Sequence, residues 1–213
     1  MLSTKMHYAK GELRYSPPLM AHLPPITVFD IETTGLDPSR GHRIIEIAGV
    51  RLENGIIQPE NSFVSFVNPE REIPLEARQV NKISDVDVKS APLIDEVLPK
   101  FLDYAKGTIL VAHNAEFDYG FLSHEKQFCW GYIDLPECLC TMRLSQSIFP
   151  TEFRHNLDVL IKKFNLQAPV DRHRALGDTI VTAEALLKLL EAGNIQSLDE
   201  LKKRAALKKL MYK

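Results

Sequence analysis

Apolar and polar positions along this chain change period several times, and each change marks an element. Thr27-Val28-Phe29-Asp30-Ile31-Glu32 is an apolar run carrying two acids, and Thr33-Thr34-Gly35-Leu36 breaks it. Side chains alternate faces in a strand, so Asp30 and Glu32 share one face while Phe29 and Ile31 share the other, and the two acids can reach the same small cations. Gly35 suits the turn that follows, since it enters positive φ without a Cβ clash. Arg43 to Leu52 predicts a second strand, Asn54-Gly55 a hairpin turn, and Ser62 to Val67 a third strand ended by Asn68-Pro69. These three make an antiparallel meander with the first strand next to the centre of the sheet.

From Pro74 the period becomes helical. A short helix is expected near Leu75 to Val80 and a longer one from Pro92 to Tyr104, with a stripe of Leu93, Val97, Leu98, Phe101 and Leu102 and a stop at Lys106-Gly107. Thr108 to Ala112 reads as a short strand, and a helix capped by Asn114 runs from Ala115 to about Lys126. That βαβ rhythm sets a parallel strand beside the first. A strand around Cys138 to Met142 follows, then helices from about Thr141 to Ser147, Asn156 to Phe164, and Leu176 to Leu190. The last has a stripe of Leu176, Ile180, Ala183, Leu187 and Leu190. Ser197-x-x-Glu200 opens a final amphipathic, solvated helix bearing Lys202, Lys203 and Arg204, with Lys208 and Lys209 beyond. The expected fold class is α/β: a mixed five-stranded sheet, antiparallel meander plus parallel strands, flanked by helices. Residues 1–24, with Pro17, Pro18 and Pro24, read as an N-terminal extension, 25–192 as one domain, and 193–213 as a basic helical tail.

Composition narrows the class without naming a function. A chain of 213 residues, 45% hydrophobic and 25% charged, suits one well-buried domain with appendages and excludes a fibre or a disordered chain. The formal net charge of −2 argues against coating nucleic acid by bulk attraction, so any polyanion must be held by a local patch or through bound metal. Cys129, Cys138 and Cys140 are an odd count with two too close for a disulfide framework, which fits buried free thiols in a reducing compartment. Cys138-x-Cys140 lacks the nearby Cys/His pair that a zinc site needs. No run of about 18 apolar residues occurs, and the first residues hold no apolar core of signal-peptide length, so the chain is expected to avoid membranes and to be cytoplasmic.

Two further acids stand where ordinary packing would not choose them. Asp118 lies one turn into its helix on the face of Phe121 and Leu122. Desolvating an unpaired carboxylate is costly, and only His113 and His124 are basic nearby, which makes metal ligation the stronger option. Asp178 falls in the first turn of the long helix, after His173-Arg174-Ala175-Leu176-Gly177, so His173 and Asp178 can converge from different supports as a base beside a metal ligand. Each acid alone also reads as a surface charge or a helix N-terminal acid. Together with the strand pair they point to a cation site.

In order, Phe29-Asp30-Ile31-Glu32-Thr33-Thr34-Gly35-Leu36, His113-Asn114-Ala115-Glu116-Phe117-Asp118 and His173-Arg174-Ala175-Leu176-Gly177-Asp178 resemble the three motifs of the DEDDh 3′–5′ exonucleases. This is the superfamily of the proofreading subunit of bacterial DNA polymerase III, with a ribonuclease-H-like fold. His155-Asn156-Leu157-Asp158-x-Leu160 resembles the segment its members carry before the third motif. Val80-Asn81-Lys82-Ile83 departs from the pattern, because many members have His-Gly or His-Asn before the isoleucine. The resemblance implies Asp30, Glu32, Asp118 and Asp178 as ligands of two divalent cations, Mg²⁺ or Mn²⁺, and His173 as general base. Such a pair of ions, about 3.5–4 Å apart, can activate a water and stabilise the leaving 3′-oxygen. It further implies that Thr33, Thr34 and Gly35 contact the terminal nucleotide through their backbone and that Leu36 wedges against its base, with Asn114 and Phe117 as neighbours. The alternative for Leu36 and Phe117 is that they are only core residues.

The implied activity is metal-dependent removal of nucleotides from DNA 3′ ends, of the kind used in replication or repair. The same chemistry on RNA 3′ ends, and a non-catalytic docking module on the same fold, are the alternatives. The expected partner is a nucleic acid 3′ end, single-stranded or frayed DNA first, with a DNA polymerase subunit left open as a second. Gln146-Ser147-Ile148-Phe149-Pro150 has a faint likeness to a clamp-binding peptide and reads better as a helix end.

Overall fold

The computed structural model describes residues 23–169 and 173–207. Nearly all of the expected N-terminal extension, together with Lys208 and Lys209, therefore lies outside the described residues. The sheet contains β1 (Ile26–Thr33), β2 (Ile44–Glu53), β3 (Ile56–Phe66), β4 (Ile109–Ala112) and β5 (Cys138–Cys140), in the order β3-β2-β1-β4-β5. Its first three strands are antiparallel and the last two run parallel to β1, as the pattern predicts. The first strand is the central one rather than a neighbour of the centre. Asn54 and Gly55 turn the hairpin with φ of 52° and 78°, the left-handed pair that this turn requires. β3 begins well before Ser62, because Val50 pairs with Ser62 while Arg51 pairs with Gln58. The residues skipped, Pro59-Glu60-Asn61, form a bulge that erases the alternation on which the sequence reading depended.

Two short helices, α1 (Leu75–Asn81) and α2 (Asp85–Val88), sit over a small cluster of Ile45, Ile73, Ile83 and Val88. Four residues are too few to show a period, so α2 is visible only through its capping box, in which Asp87 accepts from both the N–H and the hydroxyl of Ser84. α3 (Ile94–Tyr104) and α4 (Ala115–Glu125) bury Val97, Phe101, Phe121 and Leu122 against Phe29, Ile31 and Ile47 on one face of the sheet. The ring of Phe101 is fully buried, 5.6 Å from both Phe29 and Phe63. The other face carries α5 (Thr141–Ile148), α6 (Leu157–Phe164), α7 (Ala175–Ala192) and α8 (Leu198–Ala205), which close over Val28, Val50 and Leu52. α7 lies across β1, β2 and β3 and also under α5 and α6, so its buried surface exceeds the expected stripe. α8 is amphipathic, and its Leu201 and Ala205 join that core. Cys138 and Cys140 are buried, Cys129 half-buried, and all three are free thiols. No described helix is long and apolar enough to cross a membrane.

One feature of the topology positions everything else. β1 pairs with β4 only from Ile26 to Val28, yet β1 continues to Thr33. Its last residues therefore have β2 on one side and an open edge on the other. The β1–β2 register also shifts between Glu32 and Thr33, a bulge that re-aims the strand end. Buried Glu125, at the end of α4, ties down the start of β2: it accepts Arg43 Nε at 2.9 and 3.0 Å and the Ile44 N–H at 3.0 Å. Removing a buried carboxylate leaves its arginine partner and a backbone N–H uncompensated. Glu125→Ala is expected to lower the unfolding free energy by about 3–5 kcal/mol in urea titrations. Loss of the exposed Lys100–Glu96 pair through Lys100→Ala should change it by no more than about 0.5 kcal/mol.

Candidate active site

The open end of β1 collects acids from three elements. Asp30 and Glu32 project from the face of β1 that α7 covers, and Asp178 comes from the first turn of α7. One carboxylate oxygen from each of the three lies within 4.8 Å of the others. Asp118 arrives from α4, buried, and its Oδ1 accepts the Ile31 N–H at 3.3 Å. That hydrogen bond lies in the part of β1 beyond its pairing with β4, between the two strand acids.

Burial governs how Asp30, Glu32 and Asp118 hold protons, with repulsion from neighbouring acids added at Asp30 and Glu32. Burial raises Asp30 well above the usual carboxylate range, and the charges of Asp118, Glu32, Asp178 and Glu46 push it further. Glu32 is pushed up to about 9, first by burial and then by Glu46, Asp178 and Asp118, with Arg174 opposing. Asp118 rises to about 7 through burial, held back by hydrogen bonds from its own N–H and that of Ile31. Carboxylates crowded in this way keep protons unless a cation replaces them. Three hard oxygen donors converging on one point fit a divalent cation such as Mg²⁺ or Mn²⁺.

His173 stands apart from the three-acid group, exposed at the entry to α7 with φ of 63°. Its neighbour Arg174 reaches inward instead: Nη2 donates to Glu46 Oε1 at 2.7 Å and Nε to Oε2 at 3.1 Å, while the Ala175 N–H donates to the same Oε2 at 3.1 Å. Glu46 is absent from the sequence-based set of candidate residues. Its trace in the sequence is a lone acid inside Ile44-Ile45-Glu46-Ile47-Ala48, at a position that pairs directly with Glu32. Asn114 does not cap α4 through its side chain as expected. It adopts a left-handed conformation, φ 60° and ψ 42°, and Cys140 Sγ accepts the first helical N–H, that of Ala115, at 3.4 Å.

Beside Glu32 lies a cavity of about 590 Å³, within the size range of small-ligand pockets. Thr33, Thr34, Gly35, Leu36 and Phe117 line it on one side and Val80 and Asn81 on the other; Asn114 is not part of the lining. Leu36 is 84% exposed, so it is no core residue, whereas Phe117 is half-buried with its ring 5.0 Å from Phe121. Asn81, in the segment that departs from the family pattern, is buried and fixes the turn: its Nδ2 donates to Thr33 O at 3.3 Å and its Oδ1 accepts the Ile83 N–H at 3.0 Å. The reason for Gly35 also differs from the expectation. Its φ is not positive, and a Cβ there would lie 2.4 Å from the His42 ring. His42 Nδ1 is 3.2 Å from Thr34 Oγ1, which also accepts the Arg43 N–H at 3.0 Å, so the imidazole forms the back of the turn. No periodicity or motif in the sequence marks His42 for this role.

A family model described as "Exonuclease" matches residues 27–186. The DNA polymerase III subunit epsilon of Rickettsia conorii is 36% identical over 168 residues, which cover 76% of this chain and 72% of that protein. A DNA polymerase III subunit epsilon-like protein of Rhodobacter capsulatus is 43% identical over 166 residues, covering 78% of this chain but only 23% of that longer protein. Among solved structures, Exonuclease X in complex with 5′ overhanging duplex DNA is 29% identical, with a TM-score of 0.66 over 83% of this chain and 99% of that one.

The raised acids fix the sign of the pH dependence. Carboxyl groups that hold protons more tightly when folded stabilise the metal-free fold below their unfolded values, near pH 4, and that contribution is lost as pH rises through about 7 and 9. In chelator the melting temperature should fall between pH 5 and pH 9. Added Mn²⁺ should raise it more at pH 9 than at pH 5, since binding displaces protons. Differential scanning fluorimetry over that range reads both, and a metal-induced shift that does not grow with pH would contradict the assignment.

Proposed function

The chain belongs to the exonuclease family, within the DEDDh 3′–5′ superfamily related to DNA polymerase III subunit epsilon, and on that premise we propose that it removes nucleotides from DNA 3′ ends by metal-dependent hydrolysis. The observation that carries this reading is the convergence of Asp30, Glu32 and Asp178 at the open end of β1, beside a cavity fit for one nucleotide. Preference for DNA draws its support from relatives whose names refer to DNA polymerase III and from the likeness to Exonuclease X. We take residues 25–192 as the exonuclease domain, 1–24 as an extension and 193–213 as a basic tail. Association with a polymerase remains part of the proposal, because the relatives bearing that name include proteins of which this chain spans only a fraction.

In this reading Asp30, Glu32, Asp118 and Asp178 hold two divalent cations. When bound, those ions place positive charge against the scissile phosphate and make an attacking water more acidic. His173 takes the proton from that water, a task suited to an imidazole at neutral pH. Attack on phosphorus breaks its bond to the 3′-oxygen of the preceding nucleotide and frees a nucleoside 5′-monophosphate. The turn from Thr33 to Gly35 holds the terminal nucleotide through its backbone, and Leu36, Val80 and Phe117 give the base apolar surfaces that do not select among bases. The family membership and the presence of all five motif residues weigh against a non-catalytic docking role.

A test gives the purified chain 5′-labelled DNA and RNA of one sequence, with Mg²⁺ or a chelator. The expected result is a ladder of shortened DNA that appears only with metal, with Asp30→Ala reduced to the chelated level. Shortening of RNA in preference to DNA would transfer the same chemistry to RNA ends, and full activity of Asp30→Ala would refute the assignment. Gly35→Ala should displace the His42 ring and raise KM for the oligonucleotide about tenfold, equivalent to about 1.4 kcal/mol of lost binding. Adding His42→Ala to that variant should recover part of the loss, and steady-state kinetics on the two variants checks this.

A further inference from the structure

Glu46, the third residue of β2, is 1% exposed, and it is not one of the three acids that converge on a common point. A carboxylate so deeply buried needs charge and hydrogen bonds to offset its desolvation. All three of the donors described for it come from one junction: Arg174 through Nη2 and Nε, and Ala175 through its backbone N–H. Ala175 is the first residue of α7, so its N–H is one of the donors that a helix start leaves without an intrahelical partner. Glu46 thus performs from a neighbouring strand the capping that residue 174 does not perform with its own side chain. The Arg174 guanidinium also lies over the ring of Phe66 on β3, 5.2 Å from its centroid, which holds the junction against two strands.

This junction lies between two groups that the chemistry needs. His173 directly precedes Arg174. Asp178 follows within the first turn, and its N–H donates to Arg174 O at 3.2 Å. Glu46 also pairs in register with Glu32, so the carboxylate that fixes the junction is built on the strand beside the metal-facing acids. We infer that Glu46 is a positioning residue for the hydrolysis: through Arg174 and the first N–H of α7 it sets where Asp178 and His173 stand relative to Glu32. The inference rests on the exonuclease reading for what the positioned groups do. Its geometry does not depend on that reading. Neither Glu46 nor Arg174 has to touch substrate to act in this way.

The full chain is compared with Glu46→Gln, Arg174→Ala and the double variant. Mn²⁺ binding is measured by calorimetry without substrate, kcat and KM on a labelled oligonucleotide, and melting temperature in chelator. Each single variant should weaken Mn²⁺ binding or lower kcat by about 10- to 100-fold while KM changes less than about threefold, the range seen when groups that orient metal ligands are lost. The double variant should be no worse than the poorer single one, because both changes remove one interaction. A lowered melting temperature with unchanged Mn²⁺ affinity and kcat would make the pair a stabilising ion pair only and would overturn the proposal, as would additive losses. Should Glu46→Gln not fold, Arg174→Ala, whose side chain is 37% exposed, carries the same comparison. A wild-type chain that binds Mn²⁺ but cuts neither DNA nor RNA would remove the exonuclease reading alone. The Mn²⁺ affinities of the variants would still decide whether Glu46 places Asp178.

Discussion

Negative charge gathered where a strand loses its neighbour is the constraint around which this molecule is arranged. Inside the sheet an unpaired carboxylate is costly, and β1 carries no charged residue for as long as β4 pairs with it. Beyond Val28 the pairing with β4 ends, and Asp30 and Glu32 appear within the next four residues. The open edge has two effects. It leaves the Ile31 N–H available to Asp118, and it gives a cation access to acids that would otherwise have to keep their protons. Ending β4 early is therefore a functional choice as much as a topological one: a fully paired β1 would bury the same acids without a counter-charge.

Acids in this structure divide by what faces them. Glu125 and Glu46 are as deeply buried as any residue of the core, and each accepts two bonds from an arginine and one from the backbone N–H of a residue that begins an element, Ile44 of β2 and Ala175 of α7. Each is held by its arginine and serves as a strut, although the charge of Glu46 still raises Glu32. Asp30 and Glu32 face mostly other carboxylates, and the charges around them raise their affinity for protons. The struts flank the cluster on both sides, one through α4 and one through α7. The repulsion that makes the site fit for a metal is thus contained by two ion pairs that could not themselves hold one.

Much of this was legible in the sequence, for reasons that differ by element. The strand acids stood out because they interrupt an apolar run at a spacing of two. Asp118 did so because it shares a helix face with Phe121 and Leu122, and Asp178 because it falls in the first turn of a helix just after His173. The five-stranded sheet followed from the change of period and from the short strand that leads directly into a helix. Glu46 escaped notice because its meaning depends on register: only the pairing of β1 with β2 places it opposite Glu32, and only the path of α7 brings Arg174 to it. His42 escaped for a similar reason, since a ring packed on a glycine seven residues away leaves no periodic trace. The start of β3 and the four-residue α2 were lost to a bulge and to brevity. Asn114 misled because a residue type that favours caps also tolerates the left-handed conformation, and here it took the second role.

The same division explains how a chain of net charge −2 could hold a polyanion's end. Long basic surfaces bind nucleic acid along its length, with an affinity that scales with the number of phosphates neutralised. Nothing in the composition supplies such a surface, and the acids at the site would repel phosphate if they stood alone. A cation held by those acids reverses the sign at one point only. The cavity beside it is lined by the apolar side chains of Leu36, Val80 and Phe117, surfaces that on the proposed reading would meet a base. On the proposed reading, attraction concentrated at a cation beside a cavity would favour the place where a strand stops, because an interior nucleotide could enter such a cavity only if the chain on both sides of it bent away. Selection for ends would then follow from where the charge is concentrated rather than from any residue that reads sequence.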